Sequence, residues 1–108
     1  MRVLKVQVGI NGYPWEVHFV PAEEFSEDTD GTTDYKRMVI KVRDDLDAET
    51  TLVVIRHELT HAYLCSEGRH ALKSMTQEEL CEWVGWHAEL IATLAANINA
   101  SRPFKEAK

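Results

Sequence analysis

Two histidines four residues apart place the strongest constraint on how this chain can fold. They belong to the run His57-Glu58-Leu59-Thr60-His61, an H-E-x-x-H motif inside an apolar stretch. In an α-helix, residues at this spacing lie one turn apart on the same face, so both imidazoles point in one direction. One residue more or fewer would move the second histidine to another face. The motif therefore predicts a helix through these residues.

The flanking residues also favour a helix, which we predict from Asp47 to Glu67. Apolar residues at helical spacing should form its buried face: Leu52, Ile55, Leu59, Ala62 and Tyr63. The clear solvent stripe contains four other residues: Glu49, Arg56, Thr60 and Glu67. His57, Glu58 and His61 fall on a different side, with Val54 and Cys65, where polar groups cost free energy unless something binds them.

Three strands are predicted before this helix. Val3 to Val8 and Trp15 to Val20 alternate apolar and polar residues, and an Asn-Gly pair lies between them, which is typical of a β-hairpin. Pro21 to Thr33 is polar and acidic and predicts a loop. Tyr35 to Val42 predicts a third strand.

The motif helix has local start and stop signals, and a second helix follows it. Asp47 or Thr50 could cap the first helix, and Gly68 is a plausible stop. Thr76-x-x-Glu79 is a capping-box signature that opens a second helix, Gln77 to Ala100. A strip of small residues on this helix should let the motif helix approach closely: Cys81, Gly85, Ala88 and Ala92.

Strands followed by helices predict an α+β fold, with an N-terminal β-hairpin and a third strand forming a small sheet packed on two long helices. The 108 residues suffice for one domain, residues 1–108.

Twelve basic and eighteen acidic residues give a net charge of −6, which argues against nucleic-acid binding. The apolar runs are too short for a membrane span, and no secretory leader is expected. Two cysteines without C-x-x-C spacing favour a reduced, cytoplasmic location.

The motif residues suit a zinc centre. Two imidazoles on one helix face can hold Zn²⁺ at about 2.0–2.1 Å from each nitrogen. Glu58 stands beside them, placed to take a proton from a zinc-activated water. A catalytic zinc site needs a third protein ligand and an open position. The second helix offers four candidates for that ligand: Glu78, Glu79, Glu82 and His87.

Helical geometry favours Glu78, because it lies nearest the strip of small residues that should face the motif helix. Glu79 is accounted for by the capping box. Glu82 follows one turn after Glu78 and is expected to orient a ligand histidine. A charged first helical turn without any metal is the alternative interpretation of the three glutamates.

These residues resemble a known group of enzymes. Gln77-Glu78-Glu79-Leu80-Cys81 resembles the N-E-x-x-A pattern that follows H-E-x-x-H in gluzincin metallopeptidases. The run from Glu78 to Gly85 is similar to the E-x-x-A-N-x-F-A pattern of the ImmA/IrrE-type peptidases, small zinc proteins common in phages and mobile elements. The chain is close in size to the minigluzincins.

The resemblance implies a zincin-like core and a peptide substrate. In those enzymes the strand before the motif helix pairs with an extended peptide, which would place the substrate along Tyr35 to Val42. Cys81, Glu82 and Gly85 depart from the family pattern, and these departures leave the choice among the three glutamates open.

The sequence thus predicts a zinc-dependent metalloendopeptidase in which His57, His61 and Glu78 hold Zn²⁺ and Glu58 is the general base. Side chains that could stabilise the oxyanion of the reaction are Tyr35, Tyr63, Arg69, His70 and His87. One alternative is a non-catalytic regulatory protein that keeps the fold and binds a partner. Another is a structural zinc site, although a structural site has no use for Glu58.

Overall fold

A computed structural model describes residues 4–26, 28–68 and 75–103 of the chain. Its elements in chain order are β1 (Leu4–Ile10), β2 (Tyr13–Val20), a 3₁₀ turn (Ala22–Glu24), β3 (Gly31–Asp34), β4 (Val39–Arg43), α1 (Ala48–Ser66) and α2 (Gln77–Ala100). A mixed four-stranded sheet packs against the two helices. The predicted α+β class is confirmed, with one strand more than expected.

The predicted N-terminal hairpin is present. β1 and β2 pair antiparallel from Leu4↔Phe19 to Ile10↔Tyr13. Asn11 and Gly12 turn the chain with φ angles of 50° and 84°, the left-handed region that Asn and Gly tolerate best. Alternate side chains of β2 enter the core, since Trp15, Val17 and Phe19 are buried.

The predicted third strand is wrong in its first half. Tyr35 to Met38 form a turn, in which the Asp34 carboxylate accepts hydrogen bonds from the backbone N–H groups of Lys36 and Arg37, both at 3.1 Å. Gly31–Asp34, predicted as part of a loop, is β3 and pairs antiparallel with β4. The hairpin of β3 and β4 was not predicted because β3 is short and polar, so it lacks the alternation of apolar and polar residues by which a strand is recognised.

The strand order is β1-β2-β4-β3, and β2 pairs parallel with β4. Val39–Arg43 is therefore an inner strand with partners on both sides. A peptide cannot pair with the Tyr35 to Val42 segment as the sequence predicted, because its first half is a turn and its second half has no open edge. The edge next to α1 belongs to β3, which contacts that helix directly.

Both helices begin where the local signals predicted, and α1 also ends at its predicted stop. The Asp47 side chain caps α1 by accepting from the Thr50 N–H at 2.7 Å, and Gly68 follows the helix with a φ of 75°. Thr76 and Glu79 form the reciprocal capping box of α2. Neither helix, over the residues described, is long and apolar enough to cross a membrane.

The predicted approach of the helices through small residues is wrong. Cys81, Gly85 and Ala88 are exposed, and a Cβ placed on Gly85 would meet nothing within 4 Å. The face of α2 that enters the core instead carries three large side chains, Trp83, Ile91 and Ile98, together with Ala95. Burial of these apolar groups outweighs the closer backbone contact that the small residues would permit.

Gly31 fixes how closely β3 approaches α1, and we expect Gly31→Ala to destabilise the fold. An added Cβ would lie 2.8 Å from Val54 Cγ1 and 3.1 Å from the Lys41 carbonyl oxygen. Overpacking of this kind costs about 1–3 kcal/mol, which urea denaturation should detect. Gly9→Ala is the matched control, since a Cβ there meets nothing within 4 Å. Equal loss of stability in both variants would contradict the proposed contact.

Candidate metal centre

α1 presents both motif histidines to solvent. His57 and His61 are exposed, and their ring centres lie 4.9 Å apart with the ring planes inclined at 72°. The expectation that these imidazoles lie away from solvent is therefore wrong. Glu58, on the side of α1 that faces β3, is buried. The motif thus divides into two accessible imidazoles and one enclosed carboxylate.

The separation of the two rings agrees with shared coordination of a zinc ion. With a Zn–N distance of about 2.0–2.1 Å, each ring centre would lie about 3.2 Å from the metal, and a tetrahedral angle would separate the centres by about 5 Å. The 4.9 Å between His57 and His61 matches this value. Shared coordination would therefore require no change in the distance between the two rings.

Tyr35 is a neighbour of the second histidine. Its hydroxyl lies 3.4 Å from His61 Nδ1, which leaves Nε2 of that ring for a metal. Ligand histidines commonly use their second nitrogen in this way, and such a contact orients the ring. Burial raises the pKa of Tyr35 above its usual value, and the charges of Cys65 and Glu58 raise it further. The phenol therefore stays protonated near neutral pH.

Thr33 holds the carboxylate of the motif. The hydroxyl of Thr33 donates to Glu58 Oε1 at 2.5 Å, and only 6% of the Glu58 surface is exposed. Within the described residues, no hydrogen bond reaches the other oxygen, Oε2. Glu58 also lines a cavity of about 370 Å³ between α1 and the start of β3. One oxygen is thus fixed by the sheet, while the other is available to a bound molecule.

The three candidate glutamates of α2 lie in a different place from the histidines. Glu78, Glu79 and Glu82 line a separate cavity of about 430 Å³ together with Glu67 and His87. In the part of the chain that the structure describes, no group of three or more His, Cys, Asp or Glu residues is arranged to hold a metal ion. The structure therefore does not bring Glu78 together with His57 and His61.

The alignment of the helices explains this separation. Trp83 Nε1 donates to Glu67 Oε1 at 2.8 Å, so Trp83 is level with the end of α1. At a rise of about 1.5 Å per residue, His61 lies about 9 Å back along α1 from Glu67, and Glu78 lies about 7.5 Å beyond Trp83 in the opposite direction. The axial separation of Glu78 from His61 is thus about 16 Å.

His87 has a structural role. Its Nε2 lies 2.7 Å from Glu67 Oε2 and its Nδ1 lies 2.8 Å from the Trp83 carbonyl oxygen. The ring also stacks on Trp83 with centres 3.9 Å apart. Tyr63 is buried in the core, and Arg69 and His70 lie outside the described residues. Of the predicted oxyanion-stabilising candidates, Tyr35 is the one that the structure places beside the motif.

Thr33 and the cavity wall before it were missed by the sequence interpretation, which treated Pro21 to Thr33 as a loop. The available signal was the β-branched pair Thr32-Thr33 between the turn formers Gly31 and Asp34. No protein-family model, curated protein or solved structure matches the chain. The function is therefore inferred from the geometry around the motif.

The bonds at Glu67 predict an acid-sensitive junction of the two helices. Burial alone would raise the pKa of Glu67, but hydrogen bonds from Trp83 and His87 outweigh it and lower that pKa below 4.5. Because the folded pKa is the lower one, the stabilisation is complete above the unfolded pKa and is lost as the pH falls through the folded pKa. Between pH 6 and pH 3, wild type should lose more thermal stability than Glu67→Gln.

The control for this comparison is Glu89→Gln, which changes an exposed glutamate of α2. Its melting temperature should follow the wild-type pH profile. Identical pH profiles for wild type and Glu67→Gln would show that the Glu67 carboxylate does not stabilise the junction.

Proposed function

We propose that this chain is a zinc-dependent metallopeptidase. The observation that supports it best is the pair His57 and His61 at the separation of shared zinc coordination, beside a buried Glu58 that keeps one oxygen available. These are the residue types that hydrolysis of a peptide bond by a metal and a general base requires. A cytoplasmic location is part of the same proposal.

Each motif residue has a distinct task in this proposal. His57 and His61 would hold Zn²⁺, which supplies Lewis-acid polarisation of the peptide carbonyl when bound. Glu58 would take a proton through Oε2 from the water whose oxygen adds to the peptide carbonyl carbon, and would pass that proton to the amine nitrogen as the C–N bond breaks. Thr33 keeps the other carboxylate oxygen in place. Tyr35 orients the ring of His61.

The third protein ligand stays a prediction. Glu78 is the candidate from the sequence, and it would have to lie beside His61 to serve, rather than beyond the end of α1. Glu79 and Glu82 share its cavity and have the same difficulty. The zinc affinity of substituted proteins decides among these three residues.

The substrate in this proposal is an extended peptide that pairs with the outer edge of β3. Among the described residues no strand pairs with this edge, and edge strands of this kind accept an added strand. Because Thr33 contacts Glu58 and Tyr35 contacts His61, a peptide along Gly31–Asp34 would pass beside the motif. The peptide position expected from Tyr35 to Val42 is replaced by this edge.

A non-catalytic peptide-binding protein is the second candidate. It is favoured by the presence of two metal-ligating side chains, rather than three, within residues 4–26, 28–68 and 75–103. A purely structural zinc site is less favourable, since His57 and His61 are exposed and do not join two elements of the fold.

We expect the protein to bind about one zinc ion per chain, measured by elemental analysis and by titration calorimetry. His57→Ala and His61→Ala should each weaken zinc binding by at least about tenfold, because each removes one ligand. His18→Ala is the matched control, since His18 lies on β2 and bonds to Glu16. A wild-type protein that takes up no zinc would refute the metal centre.

The same titration applied to the glutamates identifies the third ligand. Glu78→Gln should weaken zinc binding more than Glu79→Gln or Glu82→Gln. If all three substitutions leave the zinc affinity unchanged, the ligand lies elsewhere and the assignment of Glu78 is wrong.

Glu58→Gln should separate catalysis from metal binding. Glutamine keeps an acceptor for the Thr33 hydroxyl, so zinc content and melting temperature should stay near their wild-type values. Cleavage in an unbiased peptide-library digest should fall by at least about 10²-fold, because the proton acceptor is lost. Cleavage that survives the substitution excludes Glu58 as the base, and a zinc-loaded wild type that cleaves nothing favours the peptide-binding candidate.

A further inference from the structure

We infer that the cavity beside the motif binds the side chain of a lysine or arginine in an extended peptide. Where the inference assumes a peptide on the β3 edge, it rests on the proposed function. The cavity has a volume of about 370 Å³. Segment 28–31 forms one wall, and α1 forms the other with Val53, Val54, His57 and Glu58.

The cavity joins an apolar surface to carboxylates. Val53, which is 57% exposed, and Val54 offer the methyl groups of α1. Asp28 and Asp30 stand on the opposite wall. Lysine and arginine bury their aliphatic stems against apolar surface and keep the charged end near polar groups. A neutral apolar side chain would contact the valines and gain nothing from the carboxylates.

The negative charge of the cavity is only partly compensated. The Arg43 guanidinium lies 3.2 Å from Asp30 Oδ1, but it also binds Asp45 through two hydrogen bonds of 2.9 and 2.8 Å. One cation thus serves two carboxylates. Among the residues described, Asp28 has no ion pair, so the wall retains a net negative charge.

Glu58 adds a further carboxylate to the same cavity. Glu58 is more than nine-tenths buried and lines the same cavity, and Oε1 of its carboxylate accepts from the Thr33 hydroxyl. Oε2 receives no hydrogen bond from the described residues and is not enclosed, so a molecule in the cavity can reach it. The cavity therefore has the negative charge and the accessible acceptor of a site for a positively charged side chain.

The position of the cavity suits a peptide on the β3 edge. Gly31, the first residue of β3, and His57 of the motif both line it. Side chains of an added strand alternate between the two faces of the sheet, so one near Gly31 can enter the cavity while the backbone continues past the motif. The cavity would then select one residue near the bond that the motif acts on.

The test is an NMR titration of the wild-type protein, labelled with ¹⁵N, with blocked pentapeptides of alanine that carry one central lysine or norleucine. Norleucine has the same stem without the ammonium group. We expect the lysine peptide to bind at least about fivefold more tightly, with shifts at the amides of Gly31 and Val54, and this preference should decrease in high salt. Asp28→Asn should reduce the preference, and Glu89→Gln should leave it unchanged.

Equal affinity for the two peptides, or a preference that Asp28→Asn does not alter, would overturn the inference. So would titrations in which neither peptide shifts the resonances of Gly31 and Val54. A lysine preference in a protein that binds no zinc would retain the basic-residue site and refute the peptidase. Zinc binding and cleavage without a lysine preference would support the peptidase and refute the basic-residue site.

Discussion

The contact between Thr33 and Glu58 is the interaction on which the rest of the site depends. A carboxylate enclosed by a helix and a sheet needs a donor, and the hydroxyl of the edge strand supplies it at 2.5 Å. Gly31, two residues earlier, lets the strand come close enough for this bond to form. The contact fixes β3 against α1. It thereby determines which sheet edge, which cavity and which tyrosine stand beside the two histidines.

The parts of the fold that the sequence predicted well are those with local causes. Asp47 caps α1, Thr76 and Glu79 cap α2, and Asn11-Gly12 turns the hairpin, all through neighbours within a few residues. β3 was not predicted because, in the described part of the chain, it pairs with β4 alone, and β4 in turn pairs parallel with β2. A polar strand of four residues becomes recognisable only when that distant pairing is known.

The same distinction applies to the site: the parts with local causes could be predicted from the sequence, and the part that depends on distant contacts could not. His57, Glu58 and His61 share a region of one helix because of their spacing, which the sequence states directly. The position of Glu78 depends on how far α2 slides along α1, and bonds from Trp83 and His87 to Glu67 set that alignment. The periodicity of α2 could not reveal this alignment, because a helical pattern gives the face on which a residue lies and not its position along a neighbouring helix.

The brevity of β3 limits how much of a bound peptide could be distinguished. Four residues extend over about 13 Å, and only alternate side chains of a paired peptide would point toward α1. Such an edge would contact the side chains of about two peptide residues. Its remaining contacts would be to the peptide backbone, which is the same in all sequences. A protein would bind at this edge mainly if it contains a short, unfolded and accessible segment. Access to extended chain, more than a long consensus sequence, would then decide which proteins are bound.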